Sequence, residues 1–258
     1  MWPDALAGWW PDALAGWYRA DVSTLIVCAV VVAAGFVNGL LGFGAGIIAM
    51  LVLSATHGLV HAASLVNILS VVLTSYMAFA LRSYIDKAAV KLVLPAGLLG
   101  VAAGVFLLDS LPEQLMTRTL GAVVILFAAW NLRPQAKPSP LAAPWGVVAG
   151  LASGVLQGAM NTGGPPLVAY LYSKPGEPNI AKATTQVIFV FFALMRLPIA
   201  AAHGMITTEV LWDALFAVPT VLIGISLGLR MGERIAPERF RRLVWVAFAA
   251  MGLGLILG

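Results

Sequence analysis

Polar residues are scarce along this chain, and they fall in clusters. Between the clusters run eight apolar blocks: residues 22–56, 61–81, 88–108, 114–132, 145–173, 181–202, 209–229 and 243–257. A helix of about 20 apolar residues spans the roughly 30 Å hydrocarbon core of a bilayer, and most of these blocks reach that length. The breaks between them are short and turn-like: "RSYIDK" (82–87), "LPEQ" (111–114), "RPQAKPSPLAAP" (133–144), "KPGEPN" (174–179) and "RIAPERFRR" (234–242). No polar stretch is long enough to carry a soluble core. The runs are continuous rather than alternating, which predicts membrane helices and not a β-barrel.

Composition agrees with the pattern. The chain is 61% hydrophobic and 10% charged, where a soluble domain carries about a quarter charged residues. Its net charge of +4 suits a membrane protein with basic cytoplasmic loops, so no nucleic-acid partner is needed to explain it. One cysteine, Cys28, rules out an internal disulfide framework and a cysteine metal cluster. At the N-terminus "WPDALAGW" occurs twice in tandem, Trp2–Trp9 and Trp10–Trp17. Its Trp and Leu content suits a segment lying at the bilayer surface, and no basic region precedes it as in a signal peptide.

The two halves of the chain resemble each other. "AGFVNGLLGFGAG" (34–46) is matched by "AGLASGVLQGAMNTGG" (149–164), which sets Gly35 and Gly39 on Gly150 and Gly154. "LPAGLLGVAAG" (94–104) is matched by "VPTVLIGISLG" (218–228), and "LPEQLMTRTLGAVVILFAA" (111–129) by "APERFRRLVWVAFAAMGLG" (236–254). Glycines four apart also serve helix packing, but three matches in one order predict an internal duplication. The organisation expected is an interfacial extension at 1–21, a first repeat at 22–132, a linker at 133–144 and a second repeat at 145–258.

Charge decides how the longest blocks run. Blocks 22–56 and 145–173 are each either one tilted crossing or a hairpin. Basic residues favour cytoplasmic loops. The strongest basic loop is 230–242, followed by 82–91 and 133–137, whereas 109–113 is acidic and 203–209 carries only Glu209. A single crossing at 145–173 puts loop 230–242 outside, against the rule. A hairpin there places every loop correctly. Each half then holds one re-entrant, broken hairpin plus three transmembrane helices. An odd number of crossings makes the halves inverted-topology repeats, with both termini outside.

Glycine marks the two turns, at Gly42–Gly46 and Gly158–Gly164. The returning helices are expected to begin near Gly44 and near Gly163. Pro165 and Pro166 fit a first turn, and Asn161 and Thr162 are N-cap types. Two helix N-termini would then meet near the midplane and offer free N–H groups to an anion. The competing reading is a kinked helix at a packing contact. All eleven acids lie in loops, at span ends or in the extension, which argues against a cation site. Gly44, Ala45, Gly46, Asn161, Thr162, Gly163 and Gly164 are the backbone and side-chain candidates. Asn67 and Gln186 are the polar candidates within spans, accompanied by Ser64, Ser70, Thr74, Thr184 and Thr185. Arg196 is an intramembrane charge that reads equally as an anion contact or as a side chain snorkelling to the outer interface. His57 and His61, an i, i+4 pair with no acid or cysteine nearby in sequence, are a weak metal site, expected at the outer interface. No catalytic constellation stands out: "GLASG" (150–154) has the wrong spacing for a serine-nucleophile turn.

On the paired segments "GFVNGLLGFGAGIIAM" and "GLASGVLQGAMNTGGPPLVAYLY", each followed by its "LPAGLLGVAAG" or "VPTVLIGISLG", the chain resembles the TauE/SafE family of sulfite and organosulfonate exporters, from about residue 25 to the C-terminus. The resemblance implies an alternating-access exporter of small sulfur oxyanions or sulfonates, in a bacterial inner membrane and without an organic cofactor. It implies a transporter and no enzymatic activity. An anion channel using the same helix ends is the alternative. A proton is a candidate coupling ion, and a homodimer a candidate assembly.

Overall fold

The computed structural model describes residues 22–132, 141–231 and 237–257. The N-terminal extension and residues 133–140 of the linker lie outside these. Every regular element among the described residues is helical. The first half contains α1 (Val22–Leu41), α2 (Ala45–His57), α3 (Leu59–Ala80), α4 (Lys87–Ser110) and α5 (Glu113–Leu132). The second contains α6 (Ala143–Met160), α7 (Gly164–Leu171), α8 (Pro178–Ala202), α9 (Thr208–Met231) and α10 (Pro237–Leu257). The apolar blocks of the sequence therefore reappear as helices, and blocks 22–56 and 145–173 each divide in two. The last residues of the expected linker, from Ala143 on, already belong to α6.

Among the described residues five helices, α1, α3, α4, α8 and α9, are long and apolar enough to cross a bilayer. In α5 and α10 the apolar stretches are shorter, Gln114–Trp130 and Val244–Leu257. Pro95, Pro198 and Pro219 all lie inside long helices. In a bilayer, neighbouring helices can compensate the backbone bond that a proline removes.

The helices pack across the halves more than within them. The largest helix–helix contacts join α4 to α6, α1 to α9, α5 to α10 and α3 to α8. Two of these seams are made of the repeated glycines. A Cβ on Gly154 would run into the Gly97 backbone of α4, and one on Gly228 would run into the Phe36 carbonyl of α1. With no driving force from water, close backbone approach is what holds membrane helices together, and only the smallest residue permits it here. The packing and repeat readings of these glycines therefore describe the same residues.

The broken blocks double back. Entering α6, Leu141 N–H donates to Ser173 Oγ just after α7, at 3.2 Å. A Cβ on Gly146, in the first turn of α6, would meet the Tyr170 ring near the end of α7. At the other break, Cys28 near the start of α1 and His61 just past the end of α2 contact neighbouring turns of α9, at Phe216 and Asp213.

Candidate functional site

The two breaks are built from different residues. Between α1 and α2 the chain is Gly42-Phe43-Gly44. Gly42 has φ 82° and Gly44 has φ 103°, left-handed conformations that an L side chain resists. Between α6 and α7 the chain is Asn161-Thr162-Gly163. Asn161 turns the corner with φ 52°, as asparagine tolerates better than most.

The returning helices start where the glycines and prolines predict. α2 begins at Ala45, and its first backbone bond runs from Ile48 N–H to Gly44 O, at 3.0 Å. The amides before Ile48 are the free donors of the helix N-terminus. α7 begins at Gly164 with the two prolines in its first turn. The N-cap expectation for Asn161 and Thr162 fails. Gly163 holds the N-cap position of α7, and Asn161 instead caps the C-terminus of α6. The side chain of Asn161 is committed elsewhere: it donates to Ala63 O on α3 and accepts from Gln157 Nε2 at 3.2 Å. Gln157 Oε1 accepts from Gly163 N–H at 3.2 Å, and Ser153 Oγ donates to Gly163 O.

The breaks touch. A Cβ on Gly46 would strike the Asn161 carbonyl, and the nearest atom to one on Gly164 is Phe43 Cδ2, at 3.9 Å. Where they meet lies a cavity of about 30 Å³, enough for about one water. Asn38, Gly44, Ala45, Gly46, Asn161 and Thr162 line it, together with Gly164, Gln157, Ser70, Thr74, Leu73, Ile47 and Phe189. There is no acid in this lining. Asn38 Nδ2 and Thr162 Oγ1 are buried in it without a hydrogen-bond partner. A buried polar group left unpaired costs about 1–3 kcal/mol, so such groups point to a water or ligand.

Of the residues singled out in the sequence, Gly44, Ala45, Gly46, Asn161, Thr162 and Gly164 come together at this cavity. Gly163, Asn67, Gln186 and Arg196 are not in its lining. Gln186 Nε2 donates to Gly42 O at 2.7 Å, Asn67 Nδ2 reaches Ala193 O at 3.4 Å, and Gly163 is held by Gln157 and Ser153. Arg196 does not snorkel. It is fully buried, with Nε donating to Gly158 O at 2.8 Å and one terminal nitrogen to Ala63 O at 3.1 Å. Ser70 and Thr74, which accompany Asn67 on α3, do line the cavity. Sequence reading missed Asn38, Gln157 and Phe189. Asn38 and Gln157 were visible as polar residues inside the glycine-rich segments; Phe189 carries no such signal.

His57 and His61 do not share a helix, because Gly58 separates α2 from α3. Their rings stack at 5.4 Å, and His61 Nε2 lies 2.8 Å from Asp213 Oδ2. The acid that is far away in sequence is supplied by α9. Beyond the other end of α3, Asp86 caps α4 by accepting from the Ala88 and Ala89 amides, each at 3.0 Å. Those amides, the Ala89 one foremost, and the nearby Lys174 hold its carboxyl below the usual range, against a partial burial that acts the other way.

A many-helix bundle with paired broken helices around a buried polar cavity defines a multi-pass membrane protein of the transporter class. Residues 27–255 match the family described as "Sulfite exporter TauE/SafE", and the chain belongs to this family of transporters rather than enzymes. It is 31% identical over 226 residues to "Probable sulfite/organosulfonate exporter TauE" of Cupriavidus necator, covering 84% of this chain and 87% of that protein. It is 28% identical over 170 residues to "Probable inner membrane transporter protein TsaS" of Comamonas testosteroni, covering 65% and 71%. No solved structure matches the chain.

Proposed function

We propose that this protein is an inner-membrane secondary transporter that exports a small sulfur oxyanion or organosulfonate, bound where the two breaks meet. The observation that carries the reading is the cavity itself: two helix breaks, no acid, and two buried polar groups without partners. Free N–H groups of α2 at Gly44–Gly46 and the Thr162 hydroxyl are the proposed contacts, and Asn38 joins them. Gln186 and Arg196 act from behind the breaks. The substrate class follows from the family and from the names of the relatives.

The halves are proposed to be inverted repeats. The exchange of partners between them supports this: α1 packs on α9 as α6 packs on α4, while α3 pairs with α8 and α5 with α10. The doubling back of α6–α7 supports the re-entrant reading, as does the Asp86–Lys174 contact, which puts loops 82–87 and 174–177 on one face. A cavity of about 30 Å³ is too small for a sulfonate. On this reading it is an occluded state, and alternating access opens it to one face at a time.

Two experiments test the proposal. Purified protein is titrated with sulfite, sulfate, thiosulfate, taurine and sulfoacetate; saturable binding of at least one is expected, and none by folded protein overturns the substrate reading. Single cysteines at Lys137 and Lys174, in a Cys28→Ala background, are expected to react with an impermeant thiol reagent from the same face. Labelling from opposite faces removes the hairpin.

A further inference from the structure

A broken helix is not by itself an anion site. The incoming segment ends on carbonyls worth roughly half a negative charge, and the outgoing one starts on amides worth roughly half a positive charge. Side by side at one break, the two nearly cancel. Something has to neutralise the carbonyl end before the amide end can hold an anion.

Both breaks have such a group, and both groups come from α8. Lys182 Nζ donates to Leu40 O at 2.9 Å, among the last carbonyls of α1. Arg196 Nε donates to Gly158 O at 2.8 Å, among the last carbonyls of α6. The Lys182 stem lies against Gly42, where an added Cβ would strike its Cγ. The Arg196 guanidinium shares the Ala63 carbonyl with the Asn161 side chain, which places it one hydrogen bond behind the cavity wall. Neither cation has an acidic partner among the ion pairs of the described residues, and one terminal nitrogen of Arg196 is buried with no acceptor. Helix α3, which faces α8, contributes no lysine or arginine.

We infer that Lys182 and Arg196 are positioning residues of the transport site, each cancelling the carbonyl end of one broken helix so that the first amides of α2 and the Gly164 amide of α7 present net positive charge to a divalent anion. The inference rests on the transport reading above. With each cation in place a break carries about one net positive charge instead of none, and the two breaks together match two negative charges. Neither side chain touches the anion. Each acts through the helix end that it holds, which is why neither lines the cavity.

The test is anion affinity as a function of anion charge, measured on purified protein for Lys182→Gln, Lys182→Arg, Arg196→Gln and Arg196→Lys, with sulfate and a monovalent sulfonate as probes. The energy of a lost unit charge scales with the charge on the anion. Each Gln variant should therefore weaken the sulfonate by about tenfold and sulfate by about a hundredfold, and each conservative variant should restore most of both. Equal fold-losses for the two anions would mark a purely structural role and overturn the inference, as would unchanged affinity in Lys182→Gln. If Arg196→Gln does not fold, the Lys182 pair still decides. Wild-type protein that binds neither probe removes the anion site itself, a different failure from wild-type binding with no charge dependence in the variants.

Discussion

The two breaks do the same job by opposite means. The first is made of glycine and supported from outside. Gly42 and Gly44 take left-handed conformations, and the carbonyls around them are held by other helices: Leu40 O by Lys182, Leu41 O by the Tyr172 hydroxyl and Gly42 O by Gln186. Phe43 at its tip enters an aromatic cluster with Phe127, Tyr172 and Trp245. The second is made of polar side chains and supports itself, through Gln157, Asn161, Ser153 and Gly163, with Arg196 and Ala63 as its outside contacts. An irregular backbone at membrane depth has to find its hydrogen bonds within the protein. Glycine supplies the turn but no bonds, so that break borrows them. Asparagine and glutamine supply both.

The comparison can be broken, and the largest effect is expected where support is internal. Gln157→Ala removes the acceptor for Gly163 N–H and the donor to Asn161 together, and leaves buried groups unpaired. About 2–3 kcal/mol of stability should be lost, read as a fall in the denaturant midpoint of purified protein. A loss under about 0.5 kcal/mol would mean that the second break is not self-supporting. Next in size, Gly44→Ala forces a Cβ into φ 103° and should cost about 1–2 kcal/mol. Gly164→Ala, with no atom nearer than 3.9 Å to the new Cβ, should stay within about 0.5 kcal/mol of wild type. Equal losses in this pair would mean that the left-handed backbone at Gly44 carries no cost of its own. Asn161→Gly is expected to fall between the two glycine variants. Relief of the left-handed backbone offsets part of two lost side-chain hydrogen bonds, so the net cost should be about 1 kcal/mol. Thermal unfolding of that variant beside Gln157→Ala would rank the two supports.

Much of this was legible in the sequence because a bilayer permits so little. Apolar length gave the helices, Gly-Gly-Pro-Pro gave the start of α7, and loop charge implied that block 145–173 turns back. The glycines matched between the halves turned out to form the seams between α1 and α9 and between α4 and α6. What the residues misled about was partnership. Asn161 looks like an N-cap because its type caps helices, but the same side chain tolerates left-handed backbone, and here it ends α6. His57 and His61 look like one helical pair, but Gly58 separates their helices and Asp213 arrives from α9. Arg196 looks like either a ligand or a snorkelling residue, and it is a buried donor to the end of α6.

Residue order alone marks the chain as a helical membrane protein of this family and shows where its helices break. Those properties depend on apolar length and on backbone preference, both of which are local. Which breaks meet, which polar groups face the cavity, and the placing of one cation from α8 behind each break become visible once the helices are packed. Those depend on close approach between helices distant in sequence, and hydrophobicity carries no information about which backbone lies against which.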